Sequence, residues 1–238
     1  MQLVRHPSRR HPPIVFAQGG ASAHAEPDTR AAIELALTLG ASGLATTAQR
    51  TADGAVVLSE RTSIGRWPRR ASISTSTRSE LSELLSLDDV WSLAPSSVVA
   101  VNVADRATGD AVLDAAAAAN RIGPLWLCAP DLDALGAWAE TGVDAHLVHL
   151  THIGAMRAGP ERHAADLGRL GVTGVSMPGS EWTGGLTTLF HRFELDAVAR
   201  DVRVERVVTA LVRMGIDAVM GDDVETMVEV VSADAGSA

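Results

Sequence analysis

The side chains able to do covalent chemistry are few in this chain, and their spacing narrows what they can do. Cys128 is the only cysteine, which excludes an internal disulfide and a Cys-cluster zinc site. There is no Lys and no Tyr, so Schiff-base lysine chemistry, a phosphate-loop Lys and a Tyr nucleophile are excluded as well. Cys128 and His149 match a nucleophile and its base in type, although a lone Cys at a strand end also serves as packing. His149 and His152 flank Leu150-Thr151 with no carboxylate or cysteine beside them. That spacing suits hydrogen-bonded structural histidines as well as a metal. Gly184-Gly185 ahead of a helix offers backbone N–H groups to an anion, or simply a tight turn. The arginines of segment 66–70, with Trp67, read as a partner contact or a solvated loop.

Those residues need a scaffold, and the composition supplies one. Hydrophobic residues make up 46% and charged residues 21%, enough apolar material for a substantial core. The net charge of −9 argues against a nucleic-acid partner. No run approaches the roughly 18 apolar residues of a membrane span. The opening MQLVRHPSRRHPPIVFA is basic, but its apolar part is too short for a signal peptide. These features lead to the expectation of a cytoplasmic protein.

The chain alternates strand and helix patterns. Apolar runs predict strands over 14–17, 43–48, 97–103, 125–128, 145–150, 172–177, 195–200 and 216–220. Helical patterns lie over 29–39, 79–85, 108–121, 131–140, 160–170, 184–192, 204–214 and 223–231, with Asp28 expected as the N-cap of the first. Ala52-Asp53-Gly54 is a hairpin-type turn into an extra strand over 55–58. Residues 1–13 form a polar, Pro-bearing arm expected to be loosely held, 14–231 a single domain, and 232–238 a fraying tail. Eight strands in βα alternation suit a (β/α)8 barrel, an α/β TIM fold with a short hairpin extension after strand 2. An open doubly wound sheet gives the same alternation with fewer strands.

Several segments in order carry a family resemblance. They are Gly20-Ala21-Ser22-Ala23-His24-Ala25, Thr29 before the first helix, Gly40-Ala41, Gln49, Asp53-Gly54 and Arg61-Thr62. Further on come LVHLTHIGAMRAGPERHAADL, EWTGGLTTLFHRF and ERVVTALVRMGIDAV. Together they resemble the glycerophosphodiester phosphodiesterases over about 14–231, with a diverged middle. The resemblance implies a TIM barrel, and His191 in LFHRF as part of the family's helix framework. It also implies metal-dependent hydrolysis of glycerophosphodiesters to glycerol 3-phosphate and an alcohol, using two histidines, a phosphate-binding arginine and metal-holding carboxylates.

This chain departs from that pattern at the reacting positions. The family's His-Arg-Gly stands here as Gln18-Gly19-Gly20, and its His-Asp as Ser59-Glu60. Glu-x-Asp is replaced by Ala45 and Thr47, and a third-strand carboxylate by Ala104 in Ala104-Asp105-Arg106. Pro-Glu-Asn-Thr has become Glu26-Pro27-Asp28-Thr29, and Trp-Asp has become Arg200-Asp201. The family's catalytic positions are thus held by Gln18, Gly19 and Ser59, and its metal positions by Ala45, Thr47 and Ala104. Each missing proton-transfer group costs about 10²–10⁴-fold in rate, and Mg²⁺ or Ca²⁺ needs converging oxygen donors.

The expectation is therefore a barrel without catalysis and without the family's Mg²⁺ or Ca²⁺. The alternatives are a barrel refitted as another enzyme and a residual phosphoric diester hydrolase, with Glu26 and Glu60 able to reach the mouth. The resemblance places Gln18, Thr47, Asn102, Arg106, Cys128, His149, Ser176 and Arg200 near the C-terminal strand ends, where barrel ligands bind. Arg106 and Arg200 either hold a small phosphorylated or anionic ligand or pair internally with Glu60, Asp201 or Asp222. A protein partner is the other expected occupant.

Overall fold

The computed structural model describes residues 6–65 and 70–236; the basic segment Arg66–Arg69, with Trp67, lies outside them. In chain order the first elements are β1 (Ile14–Gln18), α1 (Arg30–Thr38), β2 (Gly43–Arg50), β3 (Val56–Leu58), β4 (Ser63–Ile64), β5 (Ala71–Ser72) and α2 (Leu87–Leu93). Then come β6 (Val98–Asn102), α3 (Arg106–Ala118), β7 (Leu125–Ala129), α4 (Leu132–Glu140), β8 (His146–Leu150) and α5 (Pro160–Leu170). The last are β9 (Gly174–Pro178), α6 (Gly184–Arg192), β10 (Asp196–Arg200), α7 (Glu205–Arg213), β11 (Ala218–Gly221) and α8 (Val224–Ala235). The sheet is a closed parallel barrel of β1, β2 and β6–β11, because β1 pairs with both β2 and β11. The hairpin strand β3 adds antiparallel to β2. Among the described residues no helix is long and apolar enough to cross a membrane.

Alternation along each strand sorts residues into two cores. Inside the barrel, Phe16, Trp126, Cys128, Val148, Val198 and Met220 pack with the small residues Ala45, Ala100 and Ala218. The two large rings meet edge to face, 5.3 Å between centroids, and the alanines make room for them. The other strand face packs on the helices in a larger layer that includes Val15, Leu44, Val101, Leu127, Leu147, Val175 and Val219.

Three boundaries differ from the sequence expectation. The first helix is capped by Thr29, whose side chain accepts from Ala32 N–H; the Asp28 carboxylate instead bonds Thr46 of β2 and the Glu60 N–H. The helix expected over 79–85 is only a 3₁₀ turn, Arg78–Leu81, and the true helix is α2. Ser86 and Asp89 form a reciprocal capping box at its start, a Ser-x-x-Asp spacing that the sequence reading passed over. At the C-terminal end, α8 runs through Ala235, so the expected tail is largely helix.

The arm differs most. In place of a loose segment, residues 6–10 are pinned to the N-terminal end of the barrel. Ser8 Oγ and the backbone N–H groups of Arg9 and Arg10 all donate to Asp217 Oδ1. The guanidinium groups of Arg9 and Arg10 bond to the two oxygens of Asp196 at 3.1 and 2.9 Å. Arg10 also lies 4.9 Å over the Trp126 ring. Asp196 and Asp217 are both buried, and buried carboxylates persist only where paired. A polar arm read on its own carries no sign of this, because its partners lie almost two hundred residues away.

Candidate functional site

The C-terminal strand ends bring a polar group of side chains together over the apolar barrel core. Gln18 at the end of β1 faces inward, and its amide Nε2 donates to Glu60 Oε1 at 2.8 Å. Thr47 and Asn102 are register partners on β2 and β6, on the inward-facing parity of Ala45 and Ala100. Ser176 on β9 pairs with Val198 and Leu150 and shares their inward face. Ser176 Oγ and Asn102 Oδ1 are buried without a hydrogen-bond partner. Buried polar atoms are almost always satisfied, so these two stand out, although neither residue lines the pocket beside Gln18.

Asp28 holds the entrance loops in place. Its carboxylate accepts Thr46 Oγ1 at 2.7 Å and Glu60 N–H at 3.2 Å, while its own N–H donates to Gly19 O at 2.9 Å. One residue thus joins the turn after β1 through its backbone, and strand β2 and the segment after β3 through its side chain. Burial pushes the Asp28 pKa up, only partly offset by the Thr46 hydroxyl, and the nearby Glu60 charge pushes it the same way. Its φ of +56° is uncommon for a residue other than glycine.

Beside Gln18 lies an 80 Å³ pocket lined by Ser22, Glu60, Asp201, Arg203, Gly221 and Asp222. Carboxylates outnumber cations there, and Arg203 already lies 3.8 Å from Asp222. Arg200 donates to Thr151 O at 3.0 Å and to Asp201 Oδ2 at 2.7 Å. Arg106 is the first residue of α3 and points toward Asp110, 3.9 Å away along that helix. The two arginines expected to share an anion are therefore engaged separately. Of the internal pairs considered, Arg200 with Asp201 is the one present.

Of the residues expected to stand at metal positions, two offer no donor side chain. Ala45 is packed in the apolar interior. Ala104 lies past the end of β6 and is exposed. Asp105 caps α3 by accepting Thr108 N–H. Among the described residues no group of three or more His, Cys, Asp or Glu side chains is placed to hold a metal ion. Ser59 is buried, and its Oγ accepts from Arg61 N–H. Of the two candidate mouth carboxylates, Glu60 enters the pocket and Glu26 pairs with Arg61 at 3.4 Å.

Two expected mouth residues lie elsewhere. His149 sits on the outer face of β8, where its Nδ1 meets His163 Nε2 of α5 at 3.1 Å and its Nε2 reaches Pro130 O at 3.3 Å. Burial is the main cause that pushes its pKa down, to about 4. Cys128 faces the opposite way, into the barrel core, so the two cannot work as nucleophile and base. Burial pushes the Cys128 thiol up to about 12. The native protein is expected to leave an Ellman reagent unreduced, with one thiol titrating after denaturation; fast native reaction would contradict the packing. Gly184 lies against the His6 ring, where an added Cβ would come within 2.5 Å of Nε2. Gly184 therefore admits the arm and needs no anion to account for it. His191 Nε2–H donates to Asp217 Oδ2 at 2.7 Å. Sequence reasoning missed Asp28 as the tie between the loops after β1 and β3, and His163 altogether; the first looked like a helix cap, and the second sits on an ordinary amphipathic helix.

No family model matches the chain, and no curated protein matches it in sequence. Solved structures do match in shape. A glycerophosphodiester phosphodiesterase from Thermotoga maritima superposes with a TM-score of 0.80 at 21% identity, over 93% of this chain and 100% of that one. A putative glycerophosphoryl diester phosphodiesterase from Silicibacter pomeroyi gives a TM-score of 0.84 at 13% identity, over 98% and 97%. An Oleispira antarctica phosphodiesterase, solved with the product sn-glycerol-3-phosphate, gives 0.78 at 17% identity, over 92% and 97%. The chain therefore has the TIM-barrel fold of the glycerophosphodiester phosphodiesterases.

Proposed function

We propose that this protein is a phosphodiesterase-type barrel that no longer hydrolyses glycerophosphodiesters and instead holds a small polar ligand at its strand ends, without Mg²⁺ or Ca²⁺. The observation that carries this reading is the Gln18–Glu60 hydrogen bond. It joins the two segments that would carry the family's histidines, and it leaves a neutral amide where a proton carrier would be needed. An amide cannot act as a general base, and Glu60 alone is one group where two are required. The polar lining of the pocket beside Gln18, with Ser22, Glu60 and Asp222, supports a ligand that hydrogen-bonds. The acidic balance of Glu60, Asp201 and Asp222 favours a neutral, hydroxyl-rich molecule over a phosphate monoester.

The test has two arms. With glycerophosphocholine and either Mg²⁺ or Ca²⁺, the purified protein is expected to show no turnover above the uncatalysed rate. In a thermal-shift titration, glycerol-like polyols are expected to raise the melting midpoint more than sn-glycerol 3-phosphate does. Metal-dependent turnover that disappears in Glu60→Gln would overturn the proposal and reinstate a phosphodiesterase with substitute residues.

A further inference from the structure

On the outside of the barrel, between the end of β8 and helix α5, a groove of 530 Å³ opens to solvent. His149, Thr151, His152 and His163 line it, together with Asp131 and Asp133 at the start of α4. His149 Nδ1 and His163 Nε2 meet in its wall at 3.1 Å, with ring planes inclined by 42°. This pair has no part in the mouth, since it lies on the opposite face of the β8 strand from Val148 and Leu150.

We propose that His149 and His163 form a two-histidine site for a first-row transition-metal ion such as Zn²⁺. Two imidazole nitrogens 3.1 Å apart, each about 2.0–2.1 Å from one ion, subtend an angle of roughly 100° at it. That lies between the octahedral and tetrahedral values. The second nitrogen of His149 is already committed: Nε2–H donates to Pro130 O, which leaves the Nδ1 lone pair facing His163. Metal-binding histidines are held in this way, with the remote N–H fixed by a carbonyl or carboxylate. His163 Nε2 then carries the proton that bridges the pair in the metal-free protein. Metal binding moves that proton to Nδ1 of the same ring and turns the Nε2 lone pair to the ion.

No third protein ligand is in place among the described residues, so water occupies the remaining positions, which the open groove permits. Imidazole donors without thiolate suit Zn²⁺, Ni²⁺ and Cu²⁺, whereas Mg²⁺ and Ca²⁺ prefer oxygen. The ion would clip α5 to β8, joining two elements that otherwise meet only through packing and this one side-chain bond.

The experiment uses the full chain without an affinity tag, titrated with Zn²⁺ in a calorimeter and with Co²⁺ by visible absorption. One Zn²⁺ per chain is expected, with a rise in melting midpoint and a Co²⁺ spectrum carrying nitrogen ligation. His163→Gln, at a half-buried position that tolerates the change, should weaken binding at least about tenfold and abolish the midpoint rise. His149→Gln should do the same, and His24→Gln, exposed and outside the groove, should not. No binding at millimolar Zn²⁺, or binding retained in His163→Gln, would overturn the proposal and leave a neutral imidazole pair. Neither result depends on what the barrel mouth binds.

Discussion

Replacing Asp217 with alanine is expected to lower the unfolding free energy by about 3–5 kcal/mol, the range for stripping a buried charge from its partners. The carboxylate is fully buried and accepts five hydrogen bonds, from Ser8 Oγ, the Arg9 and Arg10 N–H groups, His191 and the Ala197 N–H. Removal leaves the Arg9 amide of the arm and the Ala197 strand amide without that acceptor, while the Arg10 amide keeps Ser8 Oγ at 3.1 Å. Urea unfolding of the wild type and of Asp217→Ala measures the difference; a loss below 1 kcal/mol would mean that the arm contacts are not maintained in solution. Burial raises the Asp217 pKa, but the His191 and Ala197 hydrogen bonds outweigh it, and the net shift is downward. The folded pKa therefore lies below the unfolded value, near 3.9. The stabilisation is complete above that value and is lost as pH falls through the lower folded pKa. The two proteins should converge in stability at strongly acid pH and differ fully at neutral pH.

Gly20→Ala is expected to cost about 3 kcal/mol, from a positive φ together with overpacking. Gly20 has φ +82°, and a Cβ there would sit 2.5 Å from the Ala32 carbonyl carbon and 2.8 Å from the Ala32 Cβ. The Ala32 carbonyl is fixed because it accepts the Ala21 N–H at 2.9 Å, so the helix cannot step back without breaking the turn. At this chain length the loss corresponds to a fall of roughly 6–12 °C in Tm. Gly54→Ala is the control. Its φ is +86°, but no atom lies within 4 Å of the added carbon, and about 1 kcal/mol is expected. Equal effects at the two sites would show that backbone conformation alone matters and that the close approach to α1 does not.

The barrel was legible because its signal is periodic and local. Apolar runs such as SVVAVNV, with glycine or proline at most junctions, survive any reading frame of the fold. The expectation that Gln18, Ala45, Thr47 and Ser59 stand in place of reacting residues rests on the short frameworks around each of them. The electrostatics were not. Arg106 looked like a mouth residue until the start of α3 carried it to the outer surface, and only the register of β8 shows that His149 faces away from Cys128. One residue of slip reverses every side chain on a strand. The capping of α2 was encoded in Ser86 and Asp89, but the preceding Leu81-x-x-Leu84-Leu85 pattern imitated a helix more strongly. What the sequence hid altogether were partnerships across long separations, His149 with His163 and the arm with Asp196 and Asp217.

The pinned arm bears on the order in which the molecule can be made. Arg9 and Arg10 are synthesised well before the carboxylates that hold them and before the β11 strand that closes the ring against β1. Closing loops of about two hundred residues is entropically late and slow. Until then the nascent chain carries an unclosed sheet, with one edge at β1 and the other at its growing end, and such edges invite pairing with other chains. Ring closure and arm docking draw on the same final segment. The step that removes the exposed edges is therefore also the step that seals the base of the barrel.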